Sequence, residues 1–132
     1  MQLHEAFVKH LTEHPLVSGL IGSRLYPQLI PESAVMPAMA YQVVSLTDDP
    51  LAHDGAIGIM TRTYQFTCQA ARYNETQAMV AALRNALHGF TGQMGGADGI
   101  EISVCQFVSL DDGEAIEGVS ITRCDYKFIY ME

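Results

Sequence analysis

The clearest periodicity along the chain lies in residues 61–70, where Thr61, Thr63, Gln65, Thr67 and Gln69 alternate with Arg62, Tyr64, Phe66, Cys68 and Ala70. Strict period-2 alternation predicts a strand whose sheet is buried on one face only. The pattern then changes to helical spacing, with Met79, Ala82, Leu83, Ala86 and Leu87 forming one apolar stripe. Asn74, with Gln77 three residues later, has the form of a capping box, and Gly89 suits the left-handed position just past a helix end. The helix is expected to cover the Tyr64, Phe66 and Cys68 face.

The flanks extend this picture. Leu3, Ala6, Phe7 and Leu11 mark the apolar stripe of a helix over 2–14. Pro15 stops it or opens a short second turn carrying Leu16, Val17, Leu20 and Ile21, which Gly22 closes. A brief extended piece follows at 24–26. Pro27, Pro31 and Pro37 keep the next segment out of a helix or central strand. Residues 38–46 predict a strand with Met39, Tyr41 and Val43 on one face, and 47–58 a long polar loop. Residues 91–94 and 100–104 flank the run Gly95-Gly96-Ala97-Asp98-Gly99, a hairpin signal. The alternation through Ile100, Ile102 and Val104 shifts phase to Cys105 and Phe107, which predicts a bulge near residue 104 or 105. An acidic loop over 111–118 leads to a last strand with Cys124, Tyr126, Phe128 and Tyr130 on one face and Arg123, Asp125 and Lys127 on the other. The expected fold is a single α+β domain over 1–132, a mainly antiparallel sheet with two main helices packed on one face.

Composition narrows the function classes. With 132 residues, 48% hydrophobic and 17% charged, the chain can bury a real core without metal or disulfide. Seven basic against fifteen acidic residues give a net charge of −8, and the basic ones form no run. Phosphate backbones would repel such a chain on average, so no sequence-specific nucleic-acid partner is expected. Cys68, Cys105 and Cys124 have no metal-ligand spacing and are expected to be buried free thiols, as in a reducing cytosol. The start MQLHEAFVKHL lacks the apolar core of a signal peptide, and no run nears the roughly 18 apolar residues of a membrane span.

The search for chemistry finds no catalytic, cofactor or metal site, and no cofactor is expected. None of the serines sits in a Gly-x-Ser-x-Gly elbow. A Cys–His pair such as Cys68 with His88 could arise only through folding. His10 and His14 stand at i, i+4, a spacing that can chelate a metal, but the segment HLTEH misplaces the carboxylate of a metalloprotease. A polar helix face near its C-terminus, where the dipole favours histidine, is the better account of the pair. The glycine run joins strands and lacks a lysine, so it is no phosphate cradle. Two acidic clusters remain: Asp48, Asp49, His53 and Asp54, and Asp111, Asp112, Glu114 and Glu117. Their polar, glycine-containing surroundings suit solvated loops or intersubunit surfaces, not a catalytic pair.

Taken in order, LIGSRLYPQLIPESAVMPAMAYQVVS (20–45), TRTYQFTCQA (61–70), YNETQAMVAALRNALHGFTG (73–92) and FVSLDDGEAIEGVSITRCDYKFIYME (107–132) resemble the tail-completion, or tail-terminator, proteins of long-tailed double-stranded DNA bacteriophages. The resemblance implies a non-enzymatic structural subunit, made in the host cytoplasm and placed in the virion tail or neck. Such subunits form a ring, commonly hexameric, and can stay monomeric until the tube supplies a template. The ring caps the head-proximal end of the tail tube, stops its growth, and meets the tail-tube protein and the head-completion protein. A head-to-tail interface generates such a ring when its rotation closes. On this reading the two acidic clusters are the expected assembly surfaces. Competing readings are another neck component such as a head–tail adaptor, a small enzyme or ligand-binding protein, and a nonviral interaction module. An enzyme would need a deep pocket joining distant residues.

Overall fold

A computed structural model describes residues 1–48, 59–113 and 118–131. The chain opens with α1 (Leu3–Glu13), whose first turn is tied by the Gln2 amide donating to Glu5 Oε1 at 3.0 Å. Leu3, Ala6, Phe7 and Leu11 are all buried, as their spacing predicts. Pro15 opens α2 (Pro15–Ile21), because its missing N–H costs nothing at a first helical position. Gly22, at φ 58°, ends α2 and turns the chain into β1 (Leu25–Pro27). The proline-bracketed segment then leads to β2 (Ala38–Asp48), held by Arg24, which donates from Nε to the Pro37 carbonyl (2.9 Å) and from Nη2 to the Leu20 carbonyl (3.3 Å).

The remaining elements are β3 (Ile59–Ala70), α3 (Tyr73–Leu87), β4 (Gly92–Met94), β5 (Ile100–Asp112) and β6 (Ser120–Met131). They form one sheet in the order β1-β2-β3-β6-β5-β4. Four of its pairings are antiparallel, but β1 runs parallel to β2, so the sheet is mixed. Three helices also replace the two main ones expected, because Pro15 and Gly22 delimit a separate short one. The central pair, β3 and β6, keeps register from Ile59↔Met131 to Ala70↔Ser120 without a shift. Shifts occur in the flanking strands, between Val43 and Ser45 on β2 and at 102/104 and 107/109 on β5. The first shift on β5 sits where the change of phase places a bulge; the second carries no such signature.

Two local expectations change. Helix α3 starts at Tyr73 behind Arg72, which makes no side-chain cap, so the Asn74–Gln77 box is not formed. Gln77 instead donates to Thr122 Oγ1 at 3.3 Å, a partner on β6. Asp111 and Asp112 lie in β5, not in a loop. The other end of α3 is as expected. Gly89 takes φ 77°, and its N–H leaves the helix to meet the Cys105 carbonyl at 2.8 Å.

All three helices pack with one face of the sheet. That inner face carries Tyr64, Phe66, Cys68, Cys124, Tyr126, Phe128 and Tyr130, all buried. Phe7 of α1 is 0% exposed and meets the rings of Tyr64 (4.7 Å), Tyr41 (5.1 Å), Phe66 (5.4 Å) and Phe128 (5.4 Å). Each ring pair adds about 0.5–1.5 kcal/mol to area burial. At the β4–β5 turn, Gly95 (φ 90°) comes so close to α1 that a Cβ there would lie 2.9 Å from the Ala6 Cα. The three thiols are free and buried, as expected.

Two predictions follow from this core. Phe7→Ala leaves a cavity beneath four rings and should cost about 3–5 kcal/mol, read as a lowered urea midpoint; a loss near zero would show that α1 does not seal the core. Alkali should also unfold the protein early. The hydrogen bond with Cys124, then burial, raises the Cys68 pKa well above the ordinary 9.0. Desolvation pushes Cys105 up to about 12, and burial raises Tyr126. These groups keep protons that the unfolded chain releases. Their stabilisation is therefore complete below the ordinary thiol value and lost as pH rises from about 9 toward the folded values. Each retained proton contributes a slope of about 1.4 kcal/mol per pH unit. Urea midpoints should fall over this range, and less steeply in Cys105→Ala.

Candidate functional site

The acidic end of β5 forms a network that spans three elements. Asp112 lies across from Thr122 of β6 and beside the first turn of α3. Its Oδ2 accepts from the Tyr73 hydroxyl at 3.1 Å, and its Oδ1 from Thr122 Oγ1 at 3.1 Å. Thr122 Oγ1 is also 3.1 Å from Thr76 Oγ1 and accepts from Gln77 Nε2, while Thr76 donates to the Tyr73 carbonyl at 2.8 Å. The single Thr122 proton goes to one acceptor at a time, and the carboxylate is the stronger one. A carboxylate at the start of α3 also complements the helix dipole. The bond to Asp112 raises the Tyr73 pKa, with desolvation and the carboxylate charge as smaller causes. Thr76 and Thr122 are both fully buried, so this network fastens α3 to the sheet.

Asp111 differs. It sits exposed on the outer sheet face, opposite Arg123 in register. Asp48 ends β2, whereas Asp49, His53 and Asp54 of the first acidic cluster and Glu114 and Glu117 of the second lie outside the described residues.

The outer face is polar along its middle. Gln42 Nε2 donates to Gln65 Oε1 across β2 and β3 at 3.2 Å. Beside them a groove of about 170 Å³ is lined by Gln28, Leu29, Gln69, Thr67 and Arg123, among others. A second cleft of about 300 Å³ lies between the end of α1 and the glycine turn, lined by His10, Glu13, His14, Phe90, Gly95 and Gly96. His10 Nε2 there donates to the Ala86 carbonyl at 2.8 Å, and its ring packs edge-on against Phe90. The two histidine rings are 6.0 Å apart, and among the described residues no three His, Cys, Asp or Glu side chains are placed to hold a metal ion.

Neither groove brings a nucleophile to a base. His88 Nδ1 accepts from the Phe107 N–H at 3.3 Å, while Cys68 pairs with Cys124 deep in the core. A thiol held protonated in this way is a poor nucleophile. Sequence reasoning missed Tyr73, Thr76, Gln77 and Thr122 as a group. The one sign was Thr122, a polar residue in the buried phase of an apolar strand.

Together these features define a class of subunit in which helices cover one face of a mixed sheet and, among the described residues, the other face is polar and the edge strands are short. The family of tail completion protein gp17 matches residues 5–130, and the chain belongs to that family. It is thus a structural protein of a phage tail or neck. A solved chain from the virion of a native gene transfer agent particle has the same fold, with a TM-score of 0.78 and 13% identity over 98% of this chain and 95% of that one. No curated protein matches.

Asp112→Asn should move the Tyr73 ring titration, followed by carbon NMR, down toward the ordinary tyrosine value. An unmoved midpoint would mean that the Tyr73–Asp112 bond is absent in solution.

Proposed function

We propose that the protein forms a ring, hexameric in the virion, that caps the head-proximal end of the tail tube. There it stops tube growth and presents the surface on which the head-completion protein docks, with the tail-tube protein beneath it. The observation that carries this reading is the family match over nearly the whole chain. The architecture supports it: among the described residues the core faces inward to three helices, which leaves strand edges and a polar outer face for neighbours. The charge of −8 lets DNA pass a ring without adhering to it. The subunit is made in the host cytoplasm and acts without catalysis or cofactor.

Within this role the two acidic clusters are the assembly surfaces. Asp48, Asp49, His53 and Asp54 form one, and Asp111, Glu114 and Glu117 the other. Asp112 divides its carboxylate between that surface and the fastening of α3. A neck adaptor is the second reading, since likeness to a virion chain is equally compatible with that place.

Electron microscopy of particles made without this protein separates the two. Termination predicts tubes of uncontrolled length that join no heads; tails of normal length would sink it and favour the adaptor. In the same micrographs, charge reversal at Asp48/Asp49 or at Asp111 should leave tails unjoined while the purified variants stay folded.

A further inference from the structure

Among the described residues the sheet has an unpaired stretch on each side, and the two stretches are complementary. On one side, β1 covers β2 only from Met39 to Tyr41, and the Gln28 N–H to Tyr41 carbonyl bond (2.7 Å) is the last on that edge among the described residues. Residues 42–48 of β2 continue as strand with β3 as their sole sheet neighbour among the described residues. On the other side, β4 covers β5 only up to Ile102. The turn after α3 takes over next, through Gly89 N–H to the Cys105 carbonyl, Cys105 N–H to the Phe90 carbonyl and Phe107 N–H to His88 Nδ1. Residues 108–112 then run on as strand with β6 as their sole sheet neighbour among the described residues.

Peptide groups alternate sideways along a strand. Met39 donates, and Tyr41 accepts, on the β1 side, so Val43 also points its N–H and carbonyl to the open edge. On β5, Cys105 and Phe107 face outward, and past the extra residue Val108 the same alternation turns Leu110 outward. Each edge also exposes aliphatic side chains: Val43 (54%) and Val44 (52%) on one, Val108 (50%) and Leu110 (46%) on the other. Open, aliphatic edges pair with strands.

We infer that the free edge of β2, from Val43 onward, binds residues 108–112 of β5 from a second copy of this chain. The β2–β3, β3–β6 and β6–β5 pairings are all antiparallel, so β2 and β5 run in opposite directions. A second copy in the same orientation therefore presents β5 antiparallel to β2, and the sheet continues from copy to copy. The free stretches lie at opposite ends of the sheet, so each copy is displaced along the strands relative to the last. The contact is heterologous, using different surfaces on the two partners, and it closes into a ring when the rotation permits. This deepens the ring reading above and rests on it for the place of assembly.

The test pairs Val44→Cys subunits with Val108→Cys subunits in the presence of a short bis-maleimide. It is run on concentrated pure protein and on tails recovered from producing cells. The native thiols are buried, so the added cysteines react selectively. The mixed pair should cross-link about tenfold more than either variant with itself. Val43→Pro removes one outward N–H and should abolish this product with the circular dichroism and melting temperature unchanged, since proline is tolerated on open edges. Protein present in tails without the mixed product overturns the edge pairing and leaves tail completion standing. Mixed product in pure protein that never enters tails upholds the pairing and overturns the tail role. Self-linked Val44→Cys pairs alone would mean an isologous contact and refute the inference.

Discussion

Phe7 is in contact with rings from β2, β3 and β6, so a single side chain of α1 holds together strands that are far apart in sequence. The apolar residues at period 2 on β3 and β6 need a cover, and α1 and α3 supply it from the two halves of the chain. With the helices all committed to that side, no described element covers the opposite face. Its polar rows of Gln42, Gln65, Thr67, Arg123, Asp125 and Lys127 follow from the same allocation. What is available to a neighbour is therefore decided by what the core has already used.

Much of the fold was legible in the chain because burial writes itself as spacing. The alternation at 61–70 and the stripe from Met79 to Leu87 each matched the observed element and its buried face. Local chemistry was legible at Pro15, Gly22 and Gly89 for the same reason, since each residue type has a backbone geometry that it alone favours. Pairing was not. That β6 lies between β3 and β5 depends on contacts between residues some sixty apart, which no window of sequence reports. β1 was legible as a brief extended piece at 24–26, but its parallel direction was not, because three residues, one of them proline, carry too little periodicity to show one.

The site shows the same division. Acidic residues were visible as clusters, but clusters do not reveal which carboxylate is already occupied. Asp111 and Asp112 are neighbours in sequence and opposites in role, because successive side chains of a strand point to opposite faces. One faces solvent beside Arg123, and the other meets Thr122 and Tyr73. The capping residues failed likewise. The helix begins one residue before Asn74, behind Arg72, and Gln77 bonds a distant hydroxyl on β6 instead.

The register shifts carry a consequence for shape. Twelve residues of β5, 101–112, lie beside ten of β6, 122–131, and eleven of β2 beside ten of β3, whereas the central pair matches one to one. Flanking strands that are longer than the strands they border must follow a longer path, so the sheet arches by residue count, independent of any side chain. Curvature of this kind is digital. Losing Ser103 or Val108 would remove one increment of arc and leave the residues beyond it opposite the same β6 partners, while a substitution there would leave the count unchanged. In an object assembled from repeated copies, each such increment is multiplied by the number of copies. In a ring of the kind proposed, insertions and deletions in these strands would thus alter the diameter, whereas point changes would alter only its strength.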